Sequence, residues 1–190
     1  MDNEQQKYTQ SSLLYEIENI KKGFYETHSK HSYFTKTQKN ECATIISNKC
    51  SLTELLKQTI FCIPNTNRIF FEYIIYKQYA CKENYMQILS FGDQIMKTVL
   101  QKYGNYEFHV NLNTFTITAF ERYFSVIHYY LNNYADVYSR CVDIHVYNTP
   151  NLVNQMHKAL KPFMSVMTAN IHYHNKDDSN ELIMQLMSNS

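Results

Sequence analysis

The chain has 190 residues, of which 44% are apolar and 18% charged, and its formal net charge is +1. A chain of this length buries roughly 70% of its extended surface on folding, so it can form a domain with a proper core. The near-neutral charge excludes a disordered acidic tail and a strongly basic nucleic-acid-binding protein, and we expect no nucleic-acid partner. Its three glycines, Gly23, Gly92 and Gly104, lie too far apart for a P-loop or a dinucleotide-binding fingerprint.

The five cysteines indicate a reducing compartment. Their number is odd and they form no CxxC pair, which argues against a disulfide framework and a zinc ribbon. The first ten residues are polar and lack the apolar region of a signal peptide. No stretch approaches the roughly 18 apolar residues that span a bilayer. These features predict a soluble cytoplasmic protein.

The first 64 residues are predicted to be a short helical N-terminal segment. An apolar stripe with helical spacing predicts a helix over 11–25. The next stretch, 26–42, is polar and rich in Lys, Thr and Ser, which predicts a loop. Ser51 and Glu54 have the spacing of a capping box and predict the start of a second helix.

From residue 65 onward, strand and helix patterns alternate. Apolar runs and alternation predict strands over 68–79, 106–112, 141–147 and 168–174. Helical periodicity predicts helices over 84–103, 117–134, 151–161 and 178–187. Strands separated by helices are joined by right-handed crossovers, so the pattern predicts an α/β fold with a mainly parallel sheet covered by helices. We therefore divide the chain into the segment 1–64 and an α/β domain over 65–190.

Few residues at the predicted strand ends suit catalysis, since no pair of carboxylates converges there and no GxSxG elbow is present. His145, His172 and His174 are expected to share one face of the sheet, where they are either zinc ligands or ordinary strand-edge histidines. Cys81 is either a nucleophile with His174 as its base or a small buried thiol. We expect no catalytic centre, no metal and no cofactor.

The helix predicted over 151–161 has an apolar side, followed by Pro162 and Phe163. One interpretation is a crossover helix packed on the sheet, which the amphipathic pattern alone favours. The other is a mobile apolar lid, because methionine adapts well to irregular ligands.

Four motifs follow one another between residues 138 and 171. They are Tyr138-Ser139-Arg140, Ile144-His145-Val146-Tyr147-Asn148-Thr149-Pro150, Leu160-Lys161-Pro162-Phe163-Met164 and Thr168-Ala169-Asn170-Ile171. With these motifs the stretch from about 106 to 174 resembles the CRAL-TRIO lipid-binding domain. Asn-x-Pro followed at this distance by Lys-Pro-Phe is the most specific part of the resemblance, which extends less closely upstream to about residue 68 and downstream to the final helix.

The resemblance implies a parallel sheet that floors an apolar cavity, with the helix 151–161 as its gate. It implies non-enzymatic binding and transfer of a hydrophobic lipid, such as a phospholipid, by a cytoplasmic protein that contacts membrane surfaces transiently. The implied wall residues are Phe120, Phe124, Ile127, Leu152, Val153, Met156, Leu160 and Phe163. Family members that bind phosphatidylinositol carry Glu and Lys where this chain has Ser139 and Asn170, so inositide binding is not implied.

The same motifs also resemble the BCH branch of this family. That resemblance implies a protein-binding scaffold that contacts small GTPases or their regulators and forms homodimers. In this alternative the bulky Tyr and Phe side chains collapse the cavity, and no lipid is bound.

Overall fold

The computed structural model describes residues 3–28, 35–163 and 167–188. Its helices are α1 (Asn3–Thr27), α2 (Thr35–Lys49), α3 (Leu52–Thr59), α4 (Tyr73–Tyr79), α5 (Tyr85–Tyr103), α6 (Ile117–Asn133), α7 (Ala135–Tyr138), α8 (Val153–Leu160) and α9 (Lys176–Ser188). Its strands are β1 (Ile60–Cys62), β2 (Arg68–Glu72), β3 (Tyr106–Asn111), β4 (Cys141–Tyr147) and β5 (Asn170–Tyr173). A 3-10 turn, Lys161–Phe163, follows α8. Within these ranges no helix has both the length and the apolar character needed to cross a bilayer.

The five strands form one sheet in chain order, from β1 at one edge to β5 at the other. β1 is antiparallel to β2, and every other neighbouring pair is parallel. Parallel strands in chain order need a crossover at each step, and crossovers of one hand place the connecting helices on one face. On that face, Met96 and Val99 of α5 pack in a cluster with Ile69 of β2. The α/β class with a mainly parallel sheet is therefore confirmed.

The opposite face of the sheet is partly covered by the last helix. Leu186 of α9 packs in a cluster with Phe70 of β2 and Tyr147 of β4. Ser179, at the start of the same helix, accepts a hydrogen bond at its Oγ from the backbone N–H of Asn148, at 2.7 Å. Phe61 of β1 packs against the same cluster, and His109, His145 and His172 also lie on this face.

Two of the predicted helix ends are confirmed in atomic detail. Ser51 caps α3 by accepting a hydrogen bond from the backbone N–H of Glu54, at 3.4 Å. Helix α5 ends at Gly104, whose φ of 79° lies in the left-handed region that glycine adopts without steric cost. Local side-chain chemistry therefore determines where these two helices begin or end.

The predicted strand over 68–79 is wrong beyond residue 72, where the chain turns directly into α4. The Glu72 side chain caps that helix by accepting a hydrogen bond from the backbone N–H of Ile74, at 3.2 Å. Tyr73, Tyr76 and Tyr79 are all buried on α4. A short, mostly buried run of aromatic and β-branched residues has too little periodicity to separate a strand from a helix, and this explains the error.

The predicted loop over 26–42 is wrong from residue 35 onward, because Thr35–Lys49 forms α2. Residues 29–34 of that prediction lie outside the described residues. The helix buries only a small apolar side, which includes Cys42, Ala43 and Ile46. Its other residues are mainly polar, including lysines, threonines and asparagines. Because the apolar positions are so few, the sequence shows no clear helical periodicity in this stretch.

The N-terminal helices share one core with α4. Ile17 of α1, Ile46 of α2 and Leu55 of α3 belong to the same apolar cluster as Tyr76 and Tyr79. β1, which lies within the predicted N-terminal segment, pairs with β2 and so extends the sheet. The first 64 residues thus brace the beginning of the α/β unit.

Candidate functional site

The turn that follows β4 positions α8. Asn148 adopts a φ of 52°. Its side-chain amide donates a hydrogen bond to Asn111 Oδ1, at 2.9 Å, across to the end of β3. The backbone N–H of Thr149 donates to the carbonyl of His174 at 3.0 Å, and the Thr149 hydroxyl donates to the carbonyl of Val146 at 2.9 Å. The Asn-x-Pro segment is therefore tied to both neighbouring strand ends before α8 begins.

Helix α8 is amphipathic in the structure. Four of the predicted wall residues are half-buried along it: Leu152, Val153, Met156 and Leu160. The side chains of Gln155, Lys158 and Ala159 are exposed. His157 Nδ1 and the Tyr173 hydroxyl lie 3.1 Å apart in a hydrogen bond that joins α8 to β5. The structure thus places one apolar side of α8 inward and connects the helix to the edge strand.

The three predicted wall residues on α6 do not share one environment. Phe120 is buried and Phe124 is half-buried. Their rings pack edge to face with centroids 5.5 Å apart. The 3-10 turn after α8, which contains the backbone of Phe163, lies beside α6, whereas the side chain of Phe163 is outside the described residues. Ile127 packs against the apolar cluster of the N-terminal helices and α4.

Two cavities of about 410 and 490 Å³ lie elsewhere, lined by residues other than these eight. The proposed apolar wall is therefore a set of packed side chains around α6 and the end of α8.

A polar array covers the opposite face of the sheet. The parallel register places His109 of β3, His145 of β4 and His172 of β5 side by side. Adjacent rings stack with centroids 4.7 Å apart between His109 and His145, and 4.6 Å apart between His145 and His172. His174 joins the group, since its Nε2 lies 3.1 Å from His145 Nδ1. The expectation that His145, His172 and His174 share a face is confirmed.

Two members of this array, Glu107 and His109, were missed by the sequence interpretation. Both lie on the polar side of the period-two alternation in β3. That alternation, combined with parallel pairing to the next strand, could have placed them beside His145. Glu107 Oε2 accepts hydrogen bonds from Arg68 Nε at 3.0 Å and from His109 Nε2 at 3.4 Å. His172 Nε2 is 2.8 Å from Asp143 Oδ1. Each end of the histidine row therefore has a carboxylate.

The array is not a preformed metal site, although ligand atoms of Glu107, His109 and His145 all lie within 4.8 Å of one another. A metal ion binds in the plane of an imidazole ring, along the nitrogen lone pair. The stacked rings of His109 and His145 differ in plane by only 3°, so their lone pairs lie in parallel planes that do not meet at one ion. Arg68 also already neutralises Glu107.

Burial and the proximity of the rings favour the neutral forms of His109, His145 and His174. A neutral His109 donates from Nε2 to Glu107 and accepts at Nδ1 from the Tyr147 hydroxyl, at 2.9 Å. Burial and the positive charge of a protonated His145 lower the pKa of His109. Burial, followed by the charge of His172, likewise lowers the pKa values of His145 and His174. Protonation would place like charges in adjacent rings.

The stability of the protein is expected to fall as the pH decreases below 6.5. The folded-state pKa of His109 is lower than its unfolded value, so the unfolded chain takes up protons first and is favoured as the pH falls toward the folded-state pKa. One pKa unit corresponds to about 1.4 kcal/mol, and we expect a loss of more than about 1 kcal/mol between pH 7 and pH 5. Urea unfolding at several pH values measures it. The variant His109→Phe should make stability depend less on pH, whereas the control His28→Gln, at an exposed site, should leave the pH dependence unchanged. Equal slopes of stability against pH in the unaltered chain and in both variants would contradict the role of His109.

The proposed pairing of Cys81 with His174 is wrong. Cys81 follows a helix instead of ending a strand, and its backbone N–H donates to Asn84 Oδ1 at 3.0 Å. His174 instead lies among His145, Tyr147 and Ser179. Burial raises the pKa of the Cys81 thiol, which keeps it protonated and weakly nucleophilic.

The fold and these sites define an α/β protein with a five-stranded, mostly parallel sheet and an amphipathic helix following the Asn-x-Pro turn. Comparisons with protein-family models, curated proteins and solved structures find no match to the chain.

Proposed function

We propose that the chain binds a hydrophobic lipid without catalysing a reaction, with α8 as the gate of the binding space. The lipid chain would lie between α8, α6 and the apolar face of the sheet. The resemblance of residues 106–174 to the CRAL-TRIO domain supports the class of ligand. A phospholipid taken up from a membrane surface fits this class.

The main support for the proposal is that α8 is amphipathic and makes few contacts with the rest of the fold. Its inward side is apolar, whereas its outward side consists of exposed residues. The contacts of α8 are concentrated on the 3-10 turn that follows it, and the His157–Tyr173 hydrogen bond joins it to β5. Opening such a helix disrupts few contacts, and each methylene of a bound acyl chain that is buried contributes about 0.8 kcal/mol.

Replacing Met156 and Leu160 together by Asp is expected to reduce lipid uptake at least tenfold. The two carboxylates would face the apolar space and would have to be desolvated when a lipid binds. Uptake of a fluorescent phosphatidylcholine from vesicles measures the effect, and circular dichroism checks that the fold is retained.

The matched control replaces Gln155 and Ala159 by Asp. It adds the same two charges to the exposed side of α8, so it should leave uptake unchanged. Normal uptake by the Met156/Leu160 variant would contradict the role of α8 as a gate.

The alternative function is a BCH-like protein-binding scaffold without lipid. The edge-to-face packing of Phe120 and Phe124 favours it, because the two rings occupy space that an acyl chain would need. Native mass spectrometry separates the two functions. A discrete added mass that is released on denaturation and extracts into organic solvent supports lipid binding. A bare or dimeric mass, with no uptake from phospholipid vesicles, supports the scaffold.

A further inference from the structure

The larger cavity, of about 490 Å³, lies where the N-terminal helices meet α4 and the start of α6. It occupies the region beyond the carboxyl ends of β2 and β3, since α4 directly follows β2 and the loop residue Thr114 follows β3. In open α/β sheets, ligands bind beyond the carboxyl ends of the strands. Its volume is within the usual range for small-molecule sites.

The charged side chains that line this cavity are mostly positive. It is lined by four cations, Lys21, Lys39, Lys77 and Arg122, and by a single carboxylate, Glu18, which is already paired with Lys21. The whole chain has a net charge of only +1. Within the described residues, none of Lys39, Lys77 and Arg122 forms an ion pair. At Lys39, Lys77 and Arg122 the cavity therefore concentrates positive charge that the described residues do not neutralise.

Two of the cations are held in place by neutral groups. Lys77 Nζ donates a hydrogen bond to the Thr114 hydroxyl at 2.7 Å. Burial, followed by the positive charge of Lys21, lowers the pKa of Lys77. The Arg122 guanidinium donates to the carbonyl of Ala80 at 3.1 Å, which leaves its charge unneutralised. Both side chains are thus positioned without an anion.

Two residues that line the cavity each have a buried polar atom without a partner among the described residues. Tyr123 is only 2% exposed, and its hydroxyl has no hydrogen-bond partner in the described structure. The same is true of Arg122 Nε, which is buried beside it. Buried polar groups are normally satisfied, so two unsatisfied donors on residues that line one cationic cavity favour an acceptor-rich ligand.

The remaining walls of the cavity favour an anion with an organic body. The amino end of α6, a helix of 17 residues capped by Thr116, lines the cavity and adds the positive end of its dipole. Ala43, Ile46 and Tyr73 contribute an apolar part of the cavity wall. A small inorganic anion would leave that wall without contacts.

We infer that this cavity binds an organic phosphate, with the phosphoryl group at Lys77 and Arg122 and the organic body against Ile46 and Tyr73. The ligand is either a soluble phosphate ester or the headgroup of an anionic lipid, because both present the same chemistry. This site is separate from the apolar side of α8 and does not depend on the gate.

Calorimetric titration with phenyl phosphate, and with inorganic phosphate for comparison, tests the inference. Phenyl phosphate should bind, and inorganic phosphate should bind at least tenfold more weakly because it cannot contact the apolar wall. The double variant Lys77→Gln/Arg122→Gln should weaken phenyl phosphate binding at least tenfold. The control variant Lys97→Gln/Arg140→Gln loses the same charges at exposed positions and should bind like the unaltered chain.

Lys39→Glu provides a second variant, because this lysine is exposed and its replacement is compatible with folding. It should weaken phenyl phosphate binding at least fivefold. Co-sedimentation with phosphatidylcholine vesicles, with and without phosphatidic acid, identifies the source of the phosphate. Binding to the phosphatidic acid vesicles that phenyl phosphate competes away indicates a lipid headgroup, whereas phenyl phosphate binding without vesicle binding indicates a soluble ester.

Absence of binding to phenyl phosphate, with no added binding when phosphatidic acid is included in the vesicles, would overturn the inference. Binding that survives in both the Lys77/Arg122 and the Lys39 variants would also overturn it. Equal affinities for inorganic phosphate and phenyl phosphate would overturn the assignment of the apolar wall. None of these results bears on lipid uptake through α8, which is measured with an electrically neutral phospholipid.

Discussion

Replacing Ile17 by alanine is expected to lower the free energy of unfolding by about 3 kcal/mol. Ile17 is completely buried on α1 and belongs to the same apolar cluster as Tyr76 and Tyr79 of α4. The substitution removes three carbons from a packed core and leaves a cavity that the surrounding helices fill only in part. Urea unfolding followed by circular dichroism measures the loss.

The same experiment tests whether the N-terminal helices and the sheet unfold together. Because they share a core, circular dichroism and tyrosine fluorescence should report one coincident transition in the Ile17→Ala variant. Tyr15→Ala is the matched control, since Tyr15 is 72% exposed on the same helix and should change stability by less than about 0.5 kcal/mol. An early, separate loss of helix with the tertiary signal retained would mean that residues 1–64 fold independently.

Glu72→Ala is expected to cost about 2–4 kcal/mol. The Glu72 carboxylate caps α4 at Ile74 and accepts a second hydrogen bond from the Asn111 side chain, at 3.0 Å. Asn111 in turn accepts from Asn148, so the carboxylate lies at the end of a polar chain across three strand ends. Alanine removes the cap and leaves the Asn111 amide without its partner.

Glu72→Gln is the control for this prediction. Glutamine keeps the size of the side chain and one oxygen acceptor, and it removes a carboxylate whose pKa is raised by burial. Because Ile74 and Asn111 donate to different oxygens of Glu72, glutamine keeps one of the two hydrogen bonds, and we expect it to cost about 1–2 kcal/mol at pH 7, less than alanine. Equal losses in the alanine and glutamine variants, measured by urea unfolding, would show that one retained hydrogen bond contributes nothing here.

Local patterns were sufficient to predict much of the fold. The helical stripe that became α5, the alternation that became β3 and the cap at Ser51 all appear where the sequence places them. In each case neighbouring residues carry the signal, through periodicity or a side chain that bonds to the adjacent backbone. The α/β class followed from the order of these elements.

The polar sites could be predicted only in part. That His172 and His174 share a face follows from strand periodicity, but the stacking of His172 with His145 and of His145 with His109 depends on the register between neighbouring strands. The cationic cavity combines Lys39 of α2 with Arg122 of α6, and no local pattern relates positions so far apart in the chain.

The sequence by itself determined the α/β class, the mainly parallel character of the sheet and the amphipathic helix after Asn-x-Pro, because periodicity and turn chemistry act over a few residues. Only the tertiary structure decided that the run after Glu72 is a helix, since a short, mostly buried segment takes its conformation from what packs around it. It also decided which polar residues meet, because the packing of elements distant in sequence creates the histidine array and the cationic cavity.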